Sequence, residues 1–237
     1  MLSLIRALLF DFDGLILDTE TPEFLVWQEI FREYGQEIGL ADWGRVVGGY
    51  GISDYSPANH LAALVGDSLD PQVLTERHRA ESLRRILLQP VLPGVLDYLQ
   101  AGRRLGLQLA VVSSSPHAWV DGHLARLGLL TCFERVFCRE DVLPGRTKPH
   151  PDLFLKALEA FAIRPAEAIV FEDSPNGVKA ALTAGAHVVA VPNFVTRQLT
   201  FENPSLFLRS LADMPLEQLL DLFKSDRRLR EPPAYKG

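Results

Sequence analysis

From Pro93 to Val191 short apolar runs alternate with stretches of helical periodicity, and few folds accommodate that alternation. Segments 107–112, 136–138, 168–171 and 187–191 are short apolar runs that read as strands, with Ser113 ending the first, Glu172 the third and Pro192 the last. Helical patterns at about 94–104, 116–128, 152–162 and 177–184 separate them. Strands that alternate with helices predict an α/β fold: a parallel sheet with helices on both sides. Segment 206–208 is expected to add an edge strand and 216–223 a last helix. The charged, proline-containing tail from Lys224 is expected to fray.

The first strand of this sheet is expected at 7–12, within Leu8-Leu9-Phe10-Asp11-Phe12-Asp13-Gly14. It delivers two carboxylates into a glycine turn. Acids this close in an apolar setting repel each other and resist desolvation, so a hard divalent cation is the expected compensation. No strand pattern follows between 18 and 90. Thr21 is read as a helix cap and Pro22 as the first helical position, with Phe24, Trp27, Phe31 and Tyr34 forming a core stripe up to Gly35. Further helices fit 57–65, stopped by Gly66, and 71–88, capped by Asp70. This stretch reads as a helical insert placed directly after the first strand. Its loop 47–53 contains Gly48, Gly49 and Gly51 but has no strand-then-helix context, so it matches no nucleotide-binding fingerprint.

Composition narrows the partners. A net charge of −6 argues against a nucleic-acid footprint, which needs a basic face. Cys132 and Cys138 are too few for a disulfide framework or a zinc site and are read as reduced thiols. The apolar start is interrupted by Asp11 and Asp13, unlike a signal peptide, and no run reaches bilayer length. The expected location is the cytoplasm, with no membrane partner.

Parallel strands place their carboxyl ends on one edge of the sheet, where ligands bind. Asp11 and Asp13 follow the first strand, Ser113 and Ser114 the second. Lys148, the first lysine of the chain, lies in the loop after the third, and Glu172 and Asp173 end the fourth. Together these residues supply a carboxylate nucleophile, an acid or base, hydroxyl and amide donors, one cation and further metal ligands. Phosphoryl transfer, which depends on positioning and charge neutralisation, uses such a set.

With Asp11-Phe12-Asp13-Gly14, Ser113, Lys148-Pro149 with Pro151-Asp152, and Glu172-Asp173-Ser174 with Gly177, Ala180, Ala181, Ala184 and Gly185, the chain resembles the haloacid dehalogenase superfamily, in the branch of β-phosphoglucomutase and small phosphatases. The resemblance implies a Rossmann-like core at 1–17 and 91–237, with an inserted α-helical bundle cap at 18–90. It implies that Asp11 attacks phosphorus to form an aspartyl phosphate, and that Asp13 protonates the leaving oxygen and then activates water. Ser113 and the Ser114 amide would hold phosphoryl oxygens beside Gly14, and Lys148 would pair with Asp11 and the phosphate. Mg²⁺ would be bound by Asp11, the backbone carbonyl of Asp13 and Asp173, with Glu172 a ligand or a partner behind the ligands.

Within that family, Asp13 argues for phosphate chemistry over carbon–halogen cleavage, and residues 14–92 lack the lysine of phosphonate-cleaving relatives. The loop from Gly49 to Asp54 lacks the arginine, and 20–23 the histidine, that mutases carry. The expected reaction is hydrolysis of a small phosphorylated metabolite such as a sugar phosphate, by a monomer or weak homodimer. Glu20 and Tyr50 are candidate substrate contacts. The alternatives are a phosphomutase and a non-catalytic phospho-receiver or binding protein; receivers lack a cap and are much shorter.

Overall fold

A computed structural model describes residues 5–46, 55–66 and 69–225. Among these, six strands form one sheet: β1 (Ala7–Phe10), β2 (Gln108–Val112), β3 (Arg135–Phe137), β4 (Ala168–Glu172), β5 (His187–Ala190) and β6 (Leu206–Phe207). Their order is β3-β2-β1-β4-β5-β6, and every pairing is parallel. This is the doubly wound, Rossmann-like α/β arrangement, and the order reverses at β1. A ligand crevice is expected where the order reverses, beyond the strands' carboxyl ends.

The central strand is apolar on both faces because both are covered. Leu8 and Phe10 face one layer, with Leu109, Val111, Ile169 and Phe171. That layer is closed by α5 (Val95–Arg104), α6 (His117–Arg126) and α9 (Leu216–Ser225). Phe10 stacks on Phe171 at 4.9 Å, and Tyr98 meets Phe171 edge-on. Truncating a ring buried like Phe10 to alanine costs about 3–5 kcal/mol. Ala7 and Leu9 face the opposite layer, with Ala110, Ala168 and Val170, under α7 (Asp152–Ala160) and α8 (Pro175–Thr183). Small residues on that sheet face and on α8 (Ala180, Ala181) let helix and sheet approach closely.

Between β1 and α5 the described residues contain no regular strand. They form α1 (Glu20–Glu33), α2 (Leu40–Trp43), α3 (Pro57–Val65) and α4 (Pro71–Ile86). Phe24, Trp27, Ile30, Phe31, Trp43 and Leu61 make a separate apolar cluster, joined by Val195 from the loop after β5. His78 stacks on Trp27 at 4.4 Å and shares a hydrogen bond with the Glu23 carbonyl. The two ends of this stretch meet: Leu17 bridges Val91 antiparallel, and Leu92 N–H donates to the Ile16 carbonyl.

Some expected boundaries move. Strand pairing ends at Phe10, so Asp11 and Phe12 lie beyond it. Helix α1 starts at Glu20, and the Thr21 amide donates to the Asp18 carboxylate; Thr21 is therefore inside the helix, not its cap. The caps at Asp70 and the start at Pro57 stand where they were expected, whereas α4 ends two residues early. The short α2 was not anticipated, having too few residues to show a period. Cys138 is buried and Cys132 half-buried, both unbonded. No helix of the described residues is long and apolar enough to cross a membrane.

Candidate active site

Four chain segments converge at the carboxyl edge of the sheet. Asp11 lies just past β1, its N–H donating to the Phe171 carbonyl at 3.0 Å. Gly14 then turns the chain with φ +77, and a Cβ there would collide with the Asp173 carboxylate and the Asn193 amide. Asn193 Nδ2 donates to Asp173 Oδ2 at 2.7 Å, so the glycine leaves room for a held carboxylate. Gly177 does the same for Glu172, whose carboxylate occupies the space a side chain would need. The Ser174 hydroxyl caps α8 through the Gly177 amide and also faces Glu172 Oε2.

Lys148 lies buried at the centre, and its peptide bond to Pro149 is cis. Its Nζ donates to Asp11 Oδ1 at 2.5 Å and to the Val112 carbonyl at 2.7 Å. Nζ also lies 2.5 Å from Glu172 Oε1, so the one ammonium pairs with both carboxylates. Burial alone would lower the lysine's pKa; the carboxylates of Asp11 and Glu172 reverse that and hold it raised, hence cationic.

Asp11, Glu172 and Asp173 are all buried and offer oxygens within 4.8 Å of one another. Burial, with Asp11 beside it, lifts Glu172 to about 7 against the pull of Lys148. Asp173 is lifted well above the carboxylate range by burial and then by Asp11 and Glu172. One buried lysine thus faces three buried carboxylates. An all-oxygen donor set carrying excess negative charge fits a hard divalent cation. The Asp13 side chain stands apart: Oδ2 accepts from Ser115 Oγ at 2.6 Å and Oδ1 from Trp119 Nε1 at 2.8 Å. Burial and Asp11 raise its pKa, while Ser115, Trp119 and Thr19 lower it.

Ser113 is buried; its N–H donates to the Phe137 carbonyl and its hydroxyl accepts from the Ser115 amide. Among the described residues, the buried Ser114 hydroxyl has no hydrogen-bond partner. Asp11, Asp13, Ser113, Ser114, Lys148 and Asp173 line one cavity of about 470 Å³, and Glu172 lies behind it. The opposite wall comes from α1 and α4, with Glu20, Glu23, Arg79 and Ser82. Burial, then Glu23 and Asp13, raises Glu20 well above its ordinary range. Burial and Asp13 bring Glu23 to about 7, with Arg79 opposing.

Every sequence-predicted residue that falls within the described residues is thereby placed at or directly behind the cavity. Tyr50 and the loop 47–53 lie outside the described residues. Sequence reasoning missed Ser115, Trp119, Asn193, Glu23 and Arg79. Two carried a signal: Ser115 as the third member of the serine run, and Glu23 three residues beyond Glu20, which helical spacing brings to the same wall.

A family model described as Haloacid dehalogenase-like hydrolase matches residues 8–191. The chain is 43% identical to a Bacillus subtilis protein named "Putative phosphatase YhcW", over 94% of this chain and 99% of that one. It is 34% identical to the fructose-1-phosphate phosphatase YqaB of Escherichia coli, over 78% of this chain and 95% of that one. Among solved structures, CbbY from Rhodobacter sphaeroides in complex with phosphate superposes with a TM-score of 0.67 at 24% identity, covering 92% of this chain and 100% of that one. The last likeness bears on the fold alone.

Proposed function

The chain belongs to the haloacid dehalogenase-like hydrolases, and from that premise we propose that it is a phosphoric monoester hydrolase acting on a small, sugar-phosphate-like ester. The observation that carries this reading is the buried group of Asp11, Lys148, Glu172 and Asp173 at one cavity with Asp13 held separately. The core at 1–17 and 91–237 carries the chemistry, and the helical stretch 18–90 acts as the cap that faces the substrate.

Lys148 holds Oδ1 of Asp11 and so sets the direction of the carboxylate. Asp11 forms a bond to phosphorus as the ester P–O bond breaks, and Asp13 gives its proton to the departing oxygen. Water then attacks phosphorus, its proton passes to Asp13, and the Asp11 carboxylate is regenerated as inorganic phosphate leaves. Ser113 and the Ser114 amide hold the phosphoryl oxygens. Mg²⁺ would be held by Asp11, Asp173 and the Asp13 carbonyl, with Glu172 beside them, and would offset the charge of an anionic ester approaching an anionic nucleophile. The cytoplasm is the proposed setting, and a monomer or weak homodimer the working form.

The test is phosphate release from p-nitrophenyl phosphate and a panel of sugar phosphates. Turnover should stop with a chelator and return with Mg²⁺; no turnover of any ester would favour a phospho-binding role. One observation keeps the phosphomutase alternative alive: Arg79 brings a cation to the cap wall although the loop from Gly49 to Asp54 has none. A mutase would yield an isomerised sugar phosphate in place of inorganic phosphate.

A further inference from the structure

Both oxygens of Asp13 are held by one short segment, the same one that carries Ser113 and Ser114. Ser115 sits just before α6 and donates to Oδ2, and Trp119 in the first turn of α6 donates to Oδ1. The indole has little freedom to swing. It packs edge-on against buried His123, with centroids 4.3 Å apart at 73°, and His123 tilts against Phe12 at 6.2 Å. Phe12 lies between Asp11 and Asp13 in the chain, so the wedge ties the indole to the segment bearing both acids. A single donor would leave the carboxylate a rotation; two donors from different directions remove it.

We infer that Trp119 and Ser115 are positioning residues that clamp Asp13 in the orientation needed for proton transfer at the leaving oxygen. The inference rests on the phosphatase reading, in which Asp13 protonates that oxygen. Proton transfer requires hydrogen-bond reach, so a displaced acid is a poor one. The consequence depends on the leaving group. An alkoxide needs its proton as the P–O bond breaks, whereas nitrophenolate departs without one.

Trp119→Phe keeps the ring and removes the N–H; Ser115→Ala removes the hydroxyl. For either, kcat/KM on glycerol phosphate should fall about tenfold to a hundredfold, and on p-nitrophenyl phosphate by less than about threefold. Inhibition by vanadate should be unchanged, because Ser113, Ser114 and Lys148 remain. Where circular dichroism shows Trp119→Phe unfolded, Ser115→Ala carries the test alone. Equal losses on both esters, or no loss on glycerol phosphate, would overturn the clamp and leave the phosphatase reading standing. No turnover of either ester by the unaltered protein would remove that reading, and the clamp with it.

Discussion

The two walls of the cavity are built on different terms. On the sheet edge the charged groups are held by the protein itself: Lys148 by Asp11 and the Val112 carbonyl, Asp13 by Ser115 and Trp119, Asp173 by Asn193. On the helical wall the side chains of Glu20, Glu23 and Arg79 line the same cavity with no hydrogen bond or close ion pair from any described residue, and Arg79 attracts Glu23 at longer range. A group already bound is pre-organised for one task. A group left without a partner gains one when a ligand arrives. On the proposed reading, the sheet edge would carry the chemistry common to any phosphate ester, and the helical wall would tell esters apart.

Four measurements would break or sharpen that contrast, beginning with the largest expected effect. Asp11→Asn should lower turnover of every ester by about 10⁴-fold or more, with an unchanged far-ultraviolet spectrum; turnover near the unaltered level would take the nucleophile's role from Asp11. Lys148→Ala should come next. It strips the counter-charge from buried Asp11 and Glu172, and breaking a buried pair in this way costs about 3–5 kcal/mol. Urea unfolding in the presence of a chelator reads the loss, and vanadate inhibition should weaken alongside.

The helical wall should answer in another currency. Glu23→Gln and Arg79→Ala should shift KM for the preferred sugar phosphate about tenfold, the size of one lost polar contact. The kcat for p-nitrophenyl phosphate should stay within about twofold. A matching fall in kcat on both esters would erase the distinction between the walls.

The last effect is on stability with pH, and it belongs to the helical stretch. Burial holds His78 at about 4, below its ordinary 6.5. Between those values the unfolded chain binds the extra proton, so His78 adds stability above 6.5 that is lost as pH falls towards 4. The full span corresponds to about 3 kcal/mol. Replacing His78 with Gln should flatten that limb in urea titrations at pH 4 to 7; an unchanged slope would show that other groups set it.

How far the sequence alone foretold this follows from what each residue's placement depends on. Asp11, Ser113, Glu172 and Asp173 end strands, and a strand end locates itself through the apolar run before it. Lys148 stood out because no lysine precedes it. The fold was legible for the same reason: β1, β2, β4 and β5 are apolar runs with clear stops. Trp119 was not legible, since its reach to Asp13 depends on how α6 is rotated against Phe12 and His123. Asn193 was hidden because its partner Asp173 is 20 residues away and no local pattern links them. Arg79 lies on an exposed helix whose other arginines mostly pair with nearby glutamates, so its side of the helix could not be told from theirs. The true start of α1 was missed because the Thr21 amide is met by the Asp18 carboxylate, which places Thr21 inside the helix.

The bridge between Leu17 and Val91 has a consequence for design and descent. Entry and exit of the helical stretch stand side by side, so whatever is spliced between them closes without stretching the sheet, and a longer splice adds little entropy cost. Such a doorway makes the helices exchangeable cargo: transplants from sister proteins at these two positions should carry over their taste for particular sugars, while the catalytic floor beneath stays as it was.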